Sequence, residues 1–97
     1  MGNTIPIRLG LIGAGGISKE HIKAALTLPE RVVLQAICDV NEQAAAEKAK
    51  MYGIREVYRD YKELLASPDV DAVIITVPNF LHAQVAVDSL RAGKHVL

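Results

Sequence analysis

Leu9-Gly10-Leu11-Ile12-Gly13-Ala14-Gly15-Gly16-Ile17-Ser18 is an apolar run that breaks into clustered glycines just before a helical pattern begins. Glycines there let the chain turn sharply and bring bare backbone close to a ligand. A helix start beyond them offers N–H groups and a positive dipole end to an anion such as phosphate. A lone Gly-x-Gly also occurs in ordinary strand-to-helix turns, so the motif alone does not decide between a phosphate site and a plain connection. The surrounding chain has to decide it.

Working outward, Ile5 to Ile12 reads as a strand, with Pro6 tolerable only near its start. Ile17 to Leu28 reads as a helix with Ile22, Ala25 and Leu26 on one face and Lys19, Glu20 and Lys23 off it, closed by Pro29. Val32 to Cys38 is a nearly continuous apolar strand, interrupted by Gln35 and ending at Asp39, as in a parallel sheet covered on both faces. Asn41 is placed to cap a second helix whose stripe is Ala45, Ala49 and Tyr52, and Gly53 supplies a left-handed stop. Glu56 to Tyr58 is a short third strand. Asp60-Tyr61-Lys62-Glu63 is a capping-box pattern opening a short helix through Leu64 and Leu65, which Ser67-Pro68-Asp69 ends.

Ala72 to Val77 is the clearest strand, broken by Pro78-Asn79. Asn79 is positioned to cap a helix with Ala83, Ala86, Val87 and Leu90 inward and Gln84, Asp88 and Arg91 toward water. Gly93 ends that helix, and His95-Val96-Leu97 begins another strand. The expectation is α/β: a Rossmann-type doubly wound parallel sheet in the order 3-2-1-4-5, with helices on both faces. That order puts the switch point between the first and fourth strands, so the glycine turn and Pro78-Asn79 meet at neighbouring carboxyl ends.

A dinucleotide fold also calls for an acid at the end of the second strand, about twenty residues past the glycines, to bind an adenosine ribose. Asp39 occupies that place. Its alternatives are an exposed strand end or a helix cap, and the glycine turn together with the β-α-β context favours the ribose. The same carboxylate would repel a 2′-phosphate, and Val40 follows instead of an arginine, so NAD is favoured over NADP. Ser18 stands where Gly-x-Gly-x-x-Gly has its third glycine, and no Gly-x-x-x-x-Gly-Lys-[Ser/Thr] loop is present. An S-adenosylmethionine-binding methyltransferase shares the glycine turn and the acid after strand two, but usually carries an acid just before the glycines, where this chain has Gly10-Leu11-Ile12.

The 97 residues suffice for one small domain, 51 % hydrophobic and 23 % charged, with no linker or repeat. Zero net charge and a pI near 6.8 give no electrostatic reason to expect nucleic acid or an anionic membrane. Cys38, a single cysteine within an apolar run, reads as a small buried hydrophobe, compatible with a reducing compartment. No metal-ligand cluster stands out. The amino terminus lacks the regions of a signal peptide and no apolar run is long enough to span a bilayer, so a cytoplasmic protein is expected.

Gly13-Ala14-Gly15-Gly16-Ile17, Ile37-Cys38-Asp39, Asp60-Tyr61-Lys62-Glu63-Leu64-Leu65, Asp69-Val70-Asp71-Ala72-Val73, Thr76-Val77-Pro78-Asn79-Phe80-Leu81-His82 and Ala92-Gly93-Lys94-His95-Val96-Leu97 together resemble the amino-terminal domain of the glucose-fructose oxidoreductase / inositol dehydrogenase (Gfo/Idh/MocA) family. The resemblance covers almost the whole chain. It implies an NAD(P)-dependent oxidoreductase that moves hydride between a sugar- or polyol-type hydroxyl carbon and nicotinamide. Carried over by position, Gly13, Gly15, Gly16 and Ile17 would line the pyrophosphate and Asp39 the adenosine ribose. Thr76, Pro78, Asn79 and His82 would lie along the cofactor's middle and nicotinamide side. His82 is otherwise an exposed residue in a helix's first turn, and neither His21 nor His95 has a comparable claim.

In the family, a Glu-Lys-Pro motif with a catalytic lysine and a second, substrate-binding domain follow this region. Residues 1–97 are therefore expected to be a dinucleotide-binding fragment without catalytic residues of its own, with the substrate met only in the full-length protein. An exposed strand at the sheet edge is expected to promote self-association. A dinucleotide-binding regulatory module without chemistry is the competing reading.

Overall fold

The computed structural model describes residues 5–97 of the chain, apart from the side-chain environments at 16–18 and 79. Five parallel strands, β1 (Ile7–Ile12), β2 (Val32–Cys38), β3 (Glu56–Tyr58), β4 (Ala72–Ile75) and β5 (His95–Val96), form one sheet in the order β3-β2-β1-β4-β5. The expected order 3-2-1-4-5 is the observed one. Between the strands run α1 (Gly16–Leu26), α2 (Glu42–Tyr52), α3 (Tyr61–Leu65) and α4 (Asn79–Arg91).

The apolar alternation of the strands divides the core into two layers. Leu9, Leu11, Leu34 and Ile37 meet Ile22 and Ala25 of α1 and Ala45 and Ala49 of α2 on one face. Ile12, Ala36, Cys38, Val73 and Ile75 meet Leu64 and Leu65 of α3 and Val85 of α4 on the other. Strands that are apolar on both sides are what a sheet sandwiched between helix pairs requires. A Cβ at Gly10 would lie 2.8 Å from Leu64 Cδ2, so this glycine lets α3 press against β1.

The local signals act much as the sequence predicts. Asn41 accepts a hydrogen bond from Ala44 N–H at the start of α2, and Gly53 closes it at φ +71°. Asp60 caps α3 through Lys62 N–H. Cys38 is buried and free, and burial, reinforced by the nearby Asp39, Asp60 and Glu63, pushes its thiol up to about 12. It is packing, not a nucleophile.

Several features differ from expectation. The strand edges are tighter: β1 begins after Pro6, and β4 stops at Ile75, where Thr76 turns into the following loop. Second, Pro78 occupies the cap position of α4 and Asn79 is its first helical residue, so the expected Asn79 cap is replaced by an extended proline that supplies no side-chain bond. Third, the inward side of α4 is Val85 and Ser89, with Ala86 partly covered, whereas Ala83, Val87 and Leu90 face outward. Ser89 is tolerated there because its hydroxyl donates to Val85 O at 2.7 Å. Size and hydropathy favoured the opposite side. Leu26, likewise expected inward on α1, is half exposed, and Asp88, expected toward water, is half-buried and accepts from Tyr61 Oη at 2.5 Å.

Where β3, β4 and β5 begin, polar side chains satisfy one another. β2 carries an irregularity that sets Leu9 opposite Leu34 but Gly10 opposite Ala36, leaving Gln35 as the extra residue. Buried Gln35 donates to Glu56 Oε2 at 2.6 Å, and Tyr58 and Ser67 hydroxyls donate to Glu56 Oε1 at 2.5 and 2.7 Å. Lys94 Nζ donates to Ser67 O and Val70 O, and Arg8 pairs with Asp71 at 3.0 Å and Asp69 at 3.3 Å. Among the described residues, no buried side-chain nitrogen or oxygen lacks a partner.

Candidate dinucleotide site

The opposite rim is built differently. β1 and β4 run side by side with Ile12 opposite Ile75, so the loops that follow leave the sheet at the same end. Thr76 N–H donates to Ile12 O at 2.9 Å, and Thr76 Oγ1 donates to Gly13 O at 3.0 Å and Ile12 O at 3.3 Å. Gly13 adopts φ +112°, and a Cβ there would sit 2.5 Å from Thr76 Oγ1 and 3.0 Å from the Thr76 carbonyl. Both backbone and space forbid a side chain. Gly13 is a glycine for reasons internal to the protein.

Gly15 is the contrasting case. Its φ is −73°, open to any residue, and a Cβ built on it would meet no atom within 4 Å. Nothing in the packing excludes a side chain from a position that lies at the start of α1. A ligand approaching the helix start would exclude one, which is the fit expected of a pyrophosphate cradle. Gly13, Ala14 and Gly15 thus form a turn pinned from below and open above.

Asp39 lies beside that turn because β2 is the other neighbour of β1. Gly13 N–H donates to Cys38 O at 2.7 Å, and Asp39 N–H donates to Tyr58 O at 3.2 Å. The carboxylate accepts from Ala14 N–H through Oδ2 at 2.7 Å and from Asn41 N–H through Oδ1 at 2.8 Å. It is partly exposed and keeps acceptor capacity on both oxygens.

On the β4 side, Pro78 is extended and exposed, Leu81 N–H returns to Pro78 O at 2.9 Å, and His82 is exposed in the first turn of α4. Phe80 is 82 % exposed beside them. The side-chain surroundings of Gly16, Ile17, Ser18 and Asn79 lie outside the described residues. The structure therefore brings Gly13, Gly15, Asp39, Thr76, Pro78 and His82 to one rim of the sheet. Ala14 and Asn41, whose amides hold the carboxylate, are additions the sequence reading did not make; the adjacency of the first two strands in the expected order was the signal that could have found them.

Neither α1 nor α4 carries a side-chain cap or an acid in its first turn, whereas α2 has Asn41 and Glu42 and α3 has Asp60 and Glu63. The N-cap residues of the two helices that start at the switch point thus supply neither a side-chain oxygen nor a negative charge of their own. Two clefts lie elsewhere, one of about 310 Å³ between α3 and α4 lined by Lys62, Leu65, Asp88 and Arg91, the other of about 630 Å³ near Pro6, Val70, Gly93 and Leu97. Neither is lined by a candidate residue. A crest between two loops is open by construction and is not a hole.

A parallel sheet in this order, a glycine turn at its switch point and an acid at the end of the second strand define a dinucleotide-binding α/β domain. Residues 7–97 match the family model for the GFO_IDH_MocA oxidoreductase family, NAD-binding Rossmann fold, and the chain belongs to that family. It is similar to levoglucosan dehydrogenase of Pseudarthrobacter phenanthrenivorans, with 33 % identity over 94 % of this chain and 25 % of the relative. Among solved structures it is similar to scyllo-inositol dehydrogenase from Lactobacillus casei with bound NAD(H) and scyllo-inositol, at TM-score 0.87 and 33 % identity over 95 % of this chain and 27 % of that one. An oxidoreductase from Thermotoga maritima gives TM-score 0.91 and 38 % identity over 95 % of this chain and 29 % of that one. The chain thus spans about a quarter of the length of such relatives. The family assignment separates it from the methyltransferase alternative.

Proposed function

We propose that this chain is the cofactor-holding part of an oxidoreductase that moves hydride between the carbinol carbon of a sugar or polyol and nicotinamide. The observation that carries the reading is the pairing of an open glycine at the start of α1 with a fixed carboxylate on the neighbouring strand. Gly13, Gly15, Gly16 and Ile17 hold the pyrophosphate and Asp39 the adenosine ribose. Thr76, Pro78, Asn79 and His82 flank the rest of the cofactor, with Thr76 acting through its lock on Gly13. Bound NAD supplies the hydride acceptor or donor. The relatives' substrates, a levoglucosan and an inositol by name, support a polyhydroxylated substrate here.

Residues 1–97 form one domain in this reading, and proton transfer and substrate recognition belong to other parts of the protein. No helix of the described residues is long and apolar enough to cross a membrane, and a cytoplasmic location is part of the proposal. So is self-association through β5, which stands at one edge of the sheet among the described residues. A monodisperse monomer by light scattering at high concentration would remove that last element. The main test is NADH fluorescence titration of the chain beside Asp39→Ala and against NADPH. Saturable NADH binding, weaker for the variant and for NADPH, is expected; undiminished affinity in the variant would remove the ribose role.

A further inference from the structure

The Asp39 carboxylate already has work before any nucleotide arrives. Its Oδ2 accepts from Ala14 N–H at 2.7 Å and its Oδ1 from Asn41 N–H at 2.8 Å, so one side chain ties the turn before α1 to the cap residue of α2. Ala14 is itself buried in the core layer under α1 and α2, where an amide deprived of its acceptor is costly. On its other flank the turn is held by Thr76 Oγ1 to Gly13 O and by Gly13 N–H to Cys38 O. The Asp39 bond extends that hold one residue further, to the amide next to Gly15.

We infer that Asp39 is a positioning residue for the phosphate-binding turn in addition to any contact with ribose: it keeps Gly13-Ala14-Gly15 in receiving shape in the unliganded protein. A carboxylate engaged at one lone pair on each oxygen still has acceptors for ribose hydroxyls, so the two roles are compatible. Such pre-organisation lowers the ordering cost of binding. It also makes an unusual demand on electrostatics. By charge alone, a carboxylate beside a pyrophosphate weakens it, and removing the carboxylate should help; if the carboxylate shapes the turn, removing it should hurt.

The nucleotide half of this inference rests on the proposed function; the turn-holding half does not. Hydrogen exchange followed by NMR on the unliganded chain separates them, comparing wild type, Asp39→Ala and Asp39→Asn, with the amides of Leu11 and Ile37 as fold controls. Ala14 N–H should exchange at least about tenfold faster in Asp39→Ala, with a smaller change in Asp39→Asn, whose amide oxygen can still accept. Leu11 and Ile37 should keep their protection. Inorganic pyrophosphate, which has no ribose, should bind more weakly to Asp39→Ala than to wild type. Ala14 exchange equal to wild type, acceleration shared with Leu11 and Ile37 in both variants, or unchanged or tighter pyrophosphate binding would overturn the inference. Failure of wild-type chain to bind NADH would instead strike the proposed function and leave the exchange result standing.

Discussion

Helices α2 and α3 begin at cap residues whose side chains bond the first turn, and helices α1 and α4 begin at cap residues that supply no side-chain bond. Asn41 and Asp60 each return a side-chain oxygen to a first-turn amide, with Glu42 and Glu63 adding charge in the same turns. Gly15 and Pro78 stand in the corresponding places of α1 and α4, and neither first turn holds an acid. The four helices share one sheet and comparable lengths of connection, so the difference is not imposed by the architecture. The two starts without such a bond lie at the switch point, where β1 and β4 release their loops side by side. Within one small domain, the cap residue carries a side-chain oxygen at α2 and α3 and none at α1 and α4, the contrast that the proposed phosphate contact at α1 would account for.

The contrast can be broken most severely at Gly13. Gly13→Ala forces a side chain into φ +112° and against Thr76, and a loss of about 2–5 kcal/mol in denaturant unfolding is expected. A variant as stable as wild type would show that the turn does not have the described shape. Gly15→Asp, two residues on, should do the reverse for stability. It closes α1 as Asp60 closes α3, leaving stability unchanged or raised by a few tenths of a kcal/mol, while NADH affinity falls at least about tenfold because a carboxylate takes the pyrophosphate's place. Equal NADH affinity would mean that the start of α1 has no role in binding.

Removing the existing caps sharpens the other side of the comparison. Asn41→Ala and Asp60→Ala should each cost about 1 kcal/mol in chemical denaturation. Asp60→Ala should leave NADH affinity within about twofold, and a larger loss would tie α3 to the ligand site.

The smallest expected effect is on pH dependence, and it arises where the strands begin. Burial pushes the Glu56 carboxyl up, but the bonds from Tyr58, Gln35 and Ser67, with Lys94 nearby, more than reverse this and leave it below its ordinary 4.5. Arg8, through its side chain and its backbone N–H, likewise holds Asp71 below 3.8. The folded form thus binds fewer protons than the unfolded one, so this stabilisation is present above the ordinary values and is lost as pH falls through the lower folded ones. Acid titration of stability should show a shallower decline below pH 4.5 in Glu56→Gln; an identical profile would deny Glu56 its share.

Features set by neighbours in sequence were readable from the chain: strand and helix order, Asn41 and Gly53 at the two ends of α2, Asp60 before α3, and Asp39 at the end of β2. The topology followed, because crossovers of helix length leave few sheet orders open. Features set by neighbours in space were not readable. The orientation of α4 runs against its side-chain hydropathy: Val85 and Ser89 lie beneath it, while the more apolar pair Val87 and Leu90 remains outside. Gln35 faces Glu56 only because β2 carries an extra residue there, and alternation cannot reveal an irregularity in its own count. Thr76 shows the same limit at the site. Its hydroxyl serves Gly13 O, a partner distant in the chain.

Chemical-shift mapping of the chain on addition of NADH tests the central claim most directly, because it reports both rims of the sheet at once. Amides of Gly13 to Ile17, Asp39 to Asn41 and Thr76 to His82 should shift together with one affinity, while those of Arg8, Glu56, Ser67 and Lys94 stay in place. Shifts confined to the second group, or none at saturating NADH, would contradict it.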